Sequence, residues 1–211
     1  MIRVATALVS LAAIAGCAGK LDYVRPTTPT SVENTKVINK SRQAVWDAAV
    51  PQLGKEFFVI NNLDKSSGLI NISYSGDPEK YVDCGRIVSY VKNARGERTY
   101  DFPAARQQMD YEIMTSNLFF LSRQMNLDGR VNLIFEEIGP EQTRVSANTR
   151  YALRLEQTTR DVHGRSVNNG ATNVAFNTNT SASFPRADNS NEPVSCRSTG
   201  QLEKDLLSNI R

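Results

Sequence analysis

Few side chains in this 211-residue chain are suited to covalent or metal chemistry. The candidates are three cysteines, Cys17, Cys84 and Cys196, and a single histidine, His163. Two cysteines and a distant histidine do not have the spacing of a zinc site. His163 lies in the polar stretch DVHGRS, which is typical of a solvated loop rather than of a catalytic triad. No phosphate-binding, dinucleotide, zinc-protease or serine-hydrolase motif occurs. The sequence therefore predicts no catalytic residue, no metal site and a protein that is not an enzyme.

The segment before Cys17 has the pattern of an export signal. Arg3 is the only charged side chain in residues 1–16, and an uncharged, largely apolar stretch follows it. Such a stretch fits a signal peptide and is too short to span a bilayer as a helix. One interpretation is an ordinary signal peptidase site of the A-x-A kind. The other is a lipobox, because Ile14-Ala15-Gly16-Cys17 resembles that pattern at every position: an aliphatic residue, two small residues and a cysteine.

The lipobox resemblance implies a bacterial lipoprotein. Residues 1–16 would be the signal peptide, and Cys17 would carry diacylglycerol on its thiol together with a further acyl chain such as palmitate. More than one acyl chain is needed for stable anchoring. Ala18 rather than aspartate follows the cysteine, which resembles the signal for the outer membrane. We therefore expect a lipid-anchored outer-membrane protein that faces the periplasm and has no cofactor besides this covalent lipid.

If the thiol of Cys17 carries lipid, Cys84 and Cys196 are the only cysteines left to form an intramolecular disulfide. An oxidising periplasm permits disulfides. A structural Cys84–Cys196 disulfide is the favoured prediction, and two buried free thiols are the alternative.

Composition and charge limit the domain organisation and the partners. Hydrophobic residues make up 40% of the chain, which is enough for a folded core. The formal net charge is only +3, and no run of lysine and arginine occurs, which argues against a nucleic-acid partner. Residues 17–35 are rich in proline, threonine and serine and predict a lipidated cysteine followed by a flexible tether. Residues 36–211 are expected to form one globular domain.

Periodicity predicts the main elements of that domain. A helix should begin after Ser41 and end near Gly54. Apolar residues alternate over 121–135 and again over 145–153, which predicts a long hairpin, with a bulge at Gly129. Further strands are predicted at 56–60, 69–74, 86–91 and 173–184. A C-terminal helix is predicted after a capping box of Ser198 and Gln201, whereas residues 92–120 have no clear pattern.

One face of the second hairpin strand carries three arginines, Arg144, Arg150 and Arg154. They form the candidate interaction face of the molecule. One interpretation is a solvated sheet face. The other is a surface that meets anionic headgroups or an acidic patch on a partner.

The stretch SRQAVWDAAVPQLGKEFFVINNLDKSSGLINISY resembles the helix-grip domains of BamC, the lipoprotein subunit of the outer-membrane barrel-assembly machinery. The shared features are a helix that opens with Val45-Trp46, an aromatic strand, an Asp64-x-x-Ser67-Gly68 turn and an Ile/Tyr strand. The resemblance implies an α+β fold, with an antiparallel sheet packed against an N-terminal and a C-terminal helix, and the same compartment.

Two classes of function follow from these features. The first is a non-enzymatic accessory or scaffold lipoprotein that binds other proteins of the cell envelope. The second is a carrier of a lipid or another small apolar ligand, which would occupy a cavity between sheet and helix. Large residues expected on the inner face of the sheet, such as Phe135 and Tyr151, favour the first class.

Overall fold

Antiparallel strands make up most of the molecule. The structure is a computed structural model that describes residues 17–56, 58–188 and 190–211, so the predicted signal peptide lies outside the described residues. The two helices are α1 (Arg42–Leu53) and α2 (Gln201–Ser208). The strands are β1 (Ala18–Val24), β2 (Thr35–Ile38), β3 (Val59–Asp64), β4 (Leu69–Gly76), β5 (Val82–Asp83), β6 (Arg86–Asn93), β7 (Gly96–Pro103), β8 (Gln108–Met114), β9 (Leu118–Gly139), β10 (Gln142–Arg160), β11 (Ser166–Asn177), β12 (Ser181–Phe184) and β13 (Val194–Ser198).

The strands form three sheets. The largest has seven strands and follows the order β11-β10-β9-β4-β3, while β2 pairs with β10 and β8 pairs with β9. A second sheet has the order β1-β6-β7, and a third has the order β12-β13-β5. The β9–β10 hairpin is the centre of the largest sheet, and its pairing runs from Gln142 opposite Gly139 to Arg160 opposite Phe120.

The predicted α+β helix-grip fold, an antiparallel sheet packed against an N-terminal and a C-terminal helix, is wrong. Strands account for 58% of the structure and helices for 10%. Both short helices pack on the hairpin, but they cover only part of its buried face. Strands from the unassigned region 92–120 help to cover the remainder: Phe102 of β7 packs against Tyr111 of β8, and the Phe102 ring faces a β9 side chain, Arg123. Both strands carry a short apolar alternation, Tyr100 and Phe102 in β7 and Met109, Tyr111 and Ile113 in β8, but the signal spans so few residues that it was missed.

The helices meet the half of the hairpin nearest its turn. Trp46 of α1 lies edge-on to Phe135 of β9, with ring centroids 5.2 Å apart. Leu202 of α2 lies over Gly129, where an added Cβ atom would come 3.2 Å from the leucine side chain. The predicted bulge at Gly129 is wrong, because this residue pairs in register with both Tyr74 and Tyr151. The glycine instead permits close approach of the helix.

The segment after Cys17 is not a flexible tether. Ala18–Val24 forms β1 and pairs with the whole of β6, from Ala18 opposite Lys92 to Val24 opposite Arg86. A Cβ atom at Gly19 would lie 2.3 Å from the Met114 Cβ, so β1 also lies directly against β8. Further along, the Thr28 hydroxyl donates a 2.5 Å hydrogen bond to Asp83. Proline and threonine content predicts an extended chain, but it does not show whether neighbouring strands bind that chain.

Two other local predictions also need correction. The strand predicted at 56–60 begins later, as β3, and continues into the expected loop as far as Asp64. The predicted capping box is absent at α2, whose N-cap is Gly200 with a positive φ of 75°. Ser198 instead accepts a hydrogen bond from the Gly200 backbone N–H. By contrast, Ser41 caps α1 as predicted, accepting from the backbone N–H of Ala44.

Candidate functional site

Cys84 and Cys196 form the predicted disulfide. Both cysteines are almost completely buried. Cys84 directly follows β5 and Cys196 lies in β13, so the bond links the end of one strand to a neighbouring strand of the third sheet that is distant in sequence. Neither sulfur is therefore available as a nucleophile or a metal ligand while the bond is intact.

Cys17 is an exposed free thiol at the start of β1. This position is accessible to modification, although lipidation itself stays a prediction. Over the ranges that the structure describes, no helix is long and apolar enough to cross a bilayer. Within the same ranges, no group of three or more histidine, cysteine, aspartate or glutamate side chains is arranged to hold a metal ion.

His163 is exposed in the turn between β10 and β11. Its backbone N–H donates to the carboxylate of Asp161, which also binds the guanidinium of Arg165. These bonds organise the turn, and among the described residues no hydrogen bond involves the His163 imidazole.

The outer face of the β9–β10 hairpin is open and polar. Even-numbered side chains of both strands point to this face, whereas the odd-numbered ones point into the core. Five arginines and three carboxylates share the face. The arginines are Arg130, Arg144, Arg150, Arg154 and Arg160, and the carboxylates are Asp128, Glu136 and Glu156.

The three arginines predicted as an interaction face do not form one cluster. Arg144 and Arg150 are six residues apart on one strand, which corresponds to about 20 Å, and Arg154 lies about 14 Å beyond Arg150. Arg144 forms a 3.1 Å ion pair with Glu136, and Arg154 forms a 2.8 Å ion pair with Glu156. Two of the three are therefore already paired with carboxylates of their own face.

Arg150 has a different environment, because Arg130 lies directly opposite it on β9. Like charges at opposed positions destabilise a sheet. Arg130 has only a distant carboxylate, Asp128 at 3.8 Å, and Arg150 has no ion-pair partner within the described ranges. Arg160, at the far end of the hairpin, also forms no ion pair within these ranges, but the Arg130–Arg150 pair is the place on this face where two arginines lie directly opposite each other with little compensation. Arg130 was missed from the sequence, although its even position on β9 was a usable signal.

Asparagines form a row across the sheet beside this arginine pair. The Asn61 amide donates to Asn71, and the Asn71 amide donates to Asn132 at 2.7 Å. Asn132 lies opposite Asn148, which accepts from the amide of Asn34. Side-chain amides carry both donors and acceptors, so the row offers a flat hydrogen-bonding surface next to two guanidinium groups.

A buried polar network lies on the other side of the hairpin. Tyr151 donates a 2.7 Å hydrogen bond to Glu203 of α2, and Thr178 donates to the second oxygen of the same carboxylate. Burial, followed by the charge of Glu203, raises the pKa of Tyr151. Glu203 is 0% exposed, whereas Thr178 is half-buried. The network fastens α2 to the sheet.

The space between sheet and helices is filled, which argues against the carrier alternative at that place. Trp46, Phe135, Tyr151 and Leu202 are all buried there. Open clefts lie at the edges of both helices. One, of about 300 Å³, is lined by Trp46, Val50 and Pro51 of α1 and Leu63 of β3. Another, of about 680 Å³, lies between α2 and β4, and Asp205 of α2 there accepts hydrogen bonds from Lys80 and Tyr81, so these polar groups satisfy one another.

Comparison with known proteins adds no further information, because no protein-family model, curated protein sequence or solved structure matches the chain.

Proposed function

We propose that the protein is a non-enzymatic, lipid-anchored accessory protein of the bacterial outer membrane, which uses the open face of the β9–β10 hairpin to bind an acidic surface on another envelope protein. The lipobox pattern at Cys17 supports the location. The observation that carries the binding role is the opposed pair Arg130 and Arg150.

Several properties of this face fit protein binding. Arg130 is 70% exposed, and the Asn132 and Asn148 side chains beside the pair are exposed as well. Arginine is favoured at protein interfaces because its planar guanidinium binds carboxylates through two parallel hydrogen bonds. A partner carboxylate placed between the two arginines would also relieve their mutual repulsion, so binding would recover stability that the free sheet lacks.

The position of Cys17 brings the domain close to the membrane under this proposal. Ala18 is already paired with Lys92, one residue before β6 ends at Asn93 and the turn to β7 begins. A lipid on Cys17 would therefore hold the turn that contains Arg95 near the headgroups, where basic side chains favour anionic lipids.

Replacing Arg130 and Arg150 together by glutamine should abolish partner binding with little effect on folding. A photo-crosslinking side chain at Asn132 should capture the partner in intact cells. We expect the yield of that product to fall at least about tenfold in Arg130→Gln/Arg150→Gln, the equivalent of about 1.4 kcal/mol in binding. The unfolding midpoint should stay the same or rise slightly, because opposed like charges have been removed.

The matched control is Arg144→Gln/Arg154→Gln, which removes the same charge from the same face but acts on arginines already paired with carboxylates. It should lower the crosslinking yield by less than about threefold. Equal losses in the two double variants would show that only net charge matters, and unchanged yields in both would exclude this face as the binding surface.

Replacing Cys17 by serine should release the protein from membranes. Serine lacks the thiol that accepts diacylglycerol, so no acyl chain would be attached. Fractionation should then find the variant in the soluble periplasmic extract, whereas Ser10→Ala, within the signal region, should stay with the membrane. Retention of Cys17→Ser in the detergent-dependent fraction would contradict lipid anchoring.

A further inference from the structure

Arg123 is a buried cation that the expected function does not use. It lies in β9 at an odd-numbered position, between Leu121 and Met125, and is only 2% exposed. Its position interrupts the apolar alternation of the strand, which is the signal by which the sequence could have identified it. The Arg123 guanidinium faces the rings of Phe102 and Phe184, at 5.9 and 6.0 Å from their centroids.

The charge of Arg123 has no counterion within the part of the chain that the structure describes. None of the ion pairs formed there includes it. Its Nη2 atom donates to the Ala104 carbonyl oxygen at 2.7 Å, but Nε is buried without a partner. Burial raises the pKa of the neighbouring Tyr111 to about 12, so this phenol is neutral and supplies no negative charge. Burial lowers the pKa of Arg123, but a guanidinium keeps its proton in proteins.

A small space adjoins this guanidinium. It has a volume of about 10 Å³, and Tyr111, Arg123, Phe184 and Arg186 help to line it. Such a space holds roughly one atom of the size of a water oxygen. Arg186 is not free to bind a ligand there, because it is paired with Asp188 at 2.7 Å.

An open cleft of about 500 Å³ continues from this space. Gln157 and residues 185–187 line both. The apolar residues that line the open cleft are Ile113, Phe119, Leu155, Val167, Pro185 and Ala187. Threonine, asparagine and glutamine side chains, Gly170 and the Arg186–Asp188 ion pair complete the wall. The Asp188 carboxylate is neutralised by Arg186, so the cleft suits a short apolar chain with water at one side rather than a fully enclosed lipid.

We propose that this part of the molecule is a binding site for a monocarboxylate with a medium-length apolar chain. One carboxylate oxygen of the ligand would occupy the small space and accept hydrogen bonds from Arg123. The apolar chain of the ligand would lie in the cleft. A carboxylate is favoured over a phosphate because the space has room for one oxygen, whereas a tetrahedral phosphate brings further oxygens that would contact the apolar wall. This site is separate from the Arg130–Arg150 face and does not depend on that proposal.

The test compares octanoate with octanol by calorimetric titration of the purified chain. Octanoate should bind, and octanol, which has the same apolar chain but no charge, should bind at least about tenfold more weakly. Acetate should bind at least about tenfold more weakly than octanoate, because it lacks the chain. Absence of octanoate binding, or equal affinities for octanoate and octanol, would overturn the proposal.

The variant Arg123→Met tests whether Arg123 is the residue that binds the carboxylate. This variant should lose at least about tenfold in octanoate affinity and keep the same weak affinity for octanol, whereas Arg160→Met on the open face should change neither. Methionine fills a similar volume without charge, and replacing a buried unpaired charge by an apolar residue is often neutral or stabilising. The unfolding midpoint of Arg123→Met should therefore be unchanged or higher.

A second measurement needs no variant. Octanoate should raise the unfolding midpoint of the unmodified chain, because a ligand that binds only the folded state stabilises it. Octanol at the same concentration should not raise the midpoint.

The calorimetric comparison with the variant decides the location of the site. Octanoate binding of equal strength in Arg123→Met and in the unmodified chain would assign the ligand to another place and overturn the site.

Discussion

Replacing Cys84 and Cys196 together by alanine should lower the free energy of unfolding by about 4 to 5 kcal/mol. The two residues are 112 positions apart in sequence, so the bond closes a very long loop in the unfolded chain. In the chain-entropy model, a crosslink that closes a loop of this size removes that much conformational freedom from the unfolded state. A loss of this size is a large part of the 5 to 15 kcal/mol that stabilises a typical domain.

Urea denaturation of the oxidised chain, the reduced chain and the double alanine variant measures this effect. The reduced chain and the variant should unfold at similar, lower urea concentrations. The exposed thiol of Cys17 supplies the control, because Cys17→Ala should leave the midpoint unchanged. Two alkylatable thiols at Cys84 and Cys196 in the native protein, or equal midpoints with and without reductant, would contradict the prediction.

Replacing Phe135 by alanine should destabilise the fold by about 3 to 5 kcal/mol, the range for a buried phenylalanine. Phe135 is 1% exposed and packs edge-on against Trp46 of α1. Truncation would remove the aromatic contact and leave a cavity that the paired strands cannot close by moving, because β9 has bonded neighbours on both sides here. Urea denaturation again measures the loss, and Trp46 fluorescence would report the local change.

Ile134 is the matched control, since it is the preceding residue of the same strand but points to the open face and is 40% exposed. Ile134→Ala should cost less than about 1 kcal/mol, the span of strand propensities. Similar losses at the two positions would mean that the hairpin does not have one buried and one open face.

Alternation of apolar and polar residues, interrupted at Arg123, Gly129 and Ile134 over 121–135, made the β9–β10 hairpin predictable. Side chains of a strand point to opposite faces in turn, so the odd positions from Leu121 to Phe135 identify the buried face without any tertiary information. The same pattern placed Arg144, Arg150 and Arg154 on the outer face. Ser41 was predictable for a similar reason, because an N-cap depends on bonds within one turn of helix.

The pairing of those arginines was not predictable. Register between strands decides that Arg130 lies opposite Arg150, and that Arg144 and Arg154 have carboxylates nearby. An alternating pattern assigns a residue to a face but not to a neighbour on the next strand. Arg123 shows the same limit: its odd position indicates burial, but only the packing of β7 and β12 leaves its guanidinium between two aromatic rings without a carboxylate.

The amino-acid sequence by itself determined the period-2 core of the hairpin and the cap of α1. It favoured a Cys84–Cys196 disulfide over two buried free thiols, and the structure shows the disulfide. The tertiary structure alone decided that Ala18–Val24 is a strand, that residues 96–114 contribute β7 and β8, and that the fold is mostly β. The physical reason is the range of the interactions involved. Alternation and capping depend on residues a few positions apart, whereas a strand with mixed side chains is stabilised by hydrogen bonds to distant partners, which leave little trace in its own sequence.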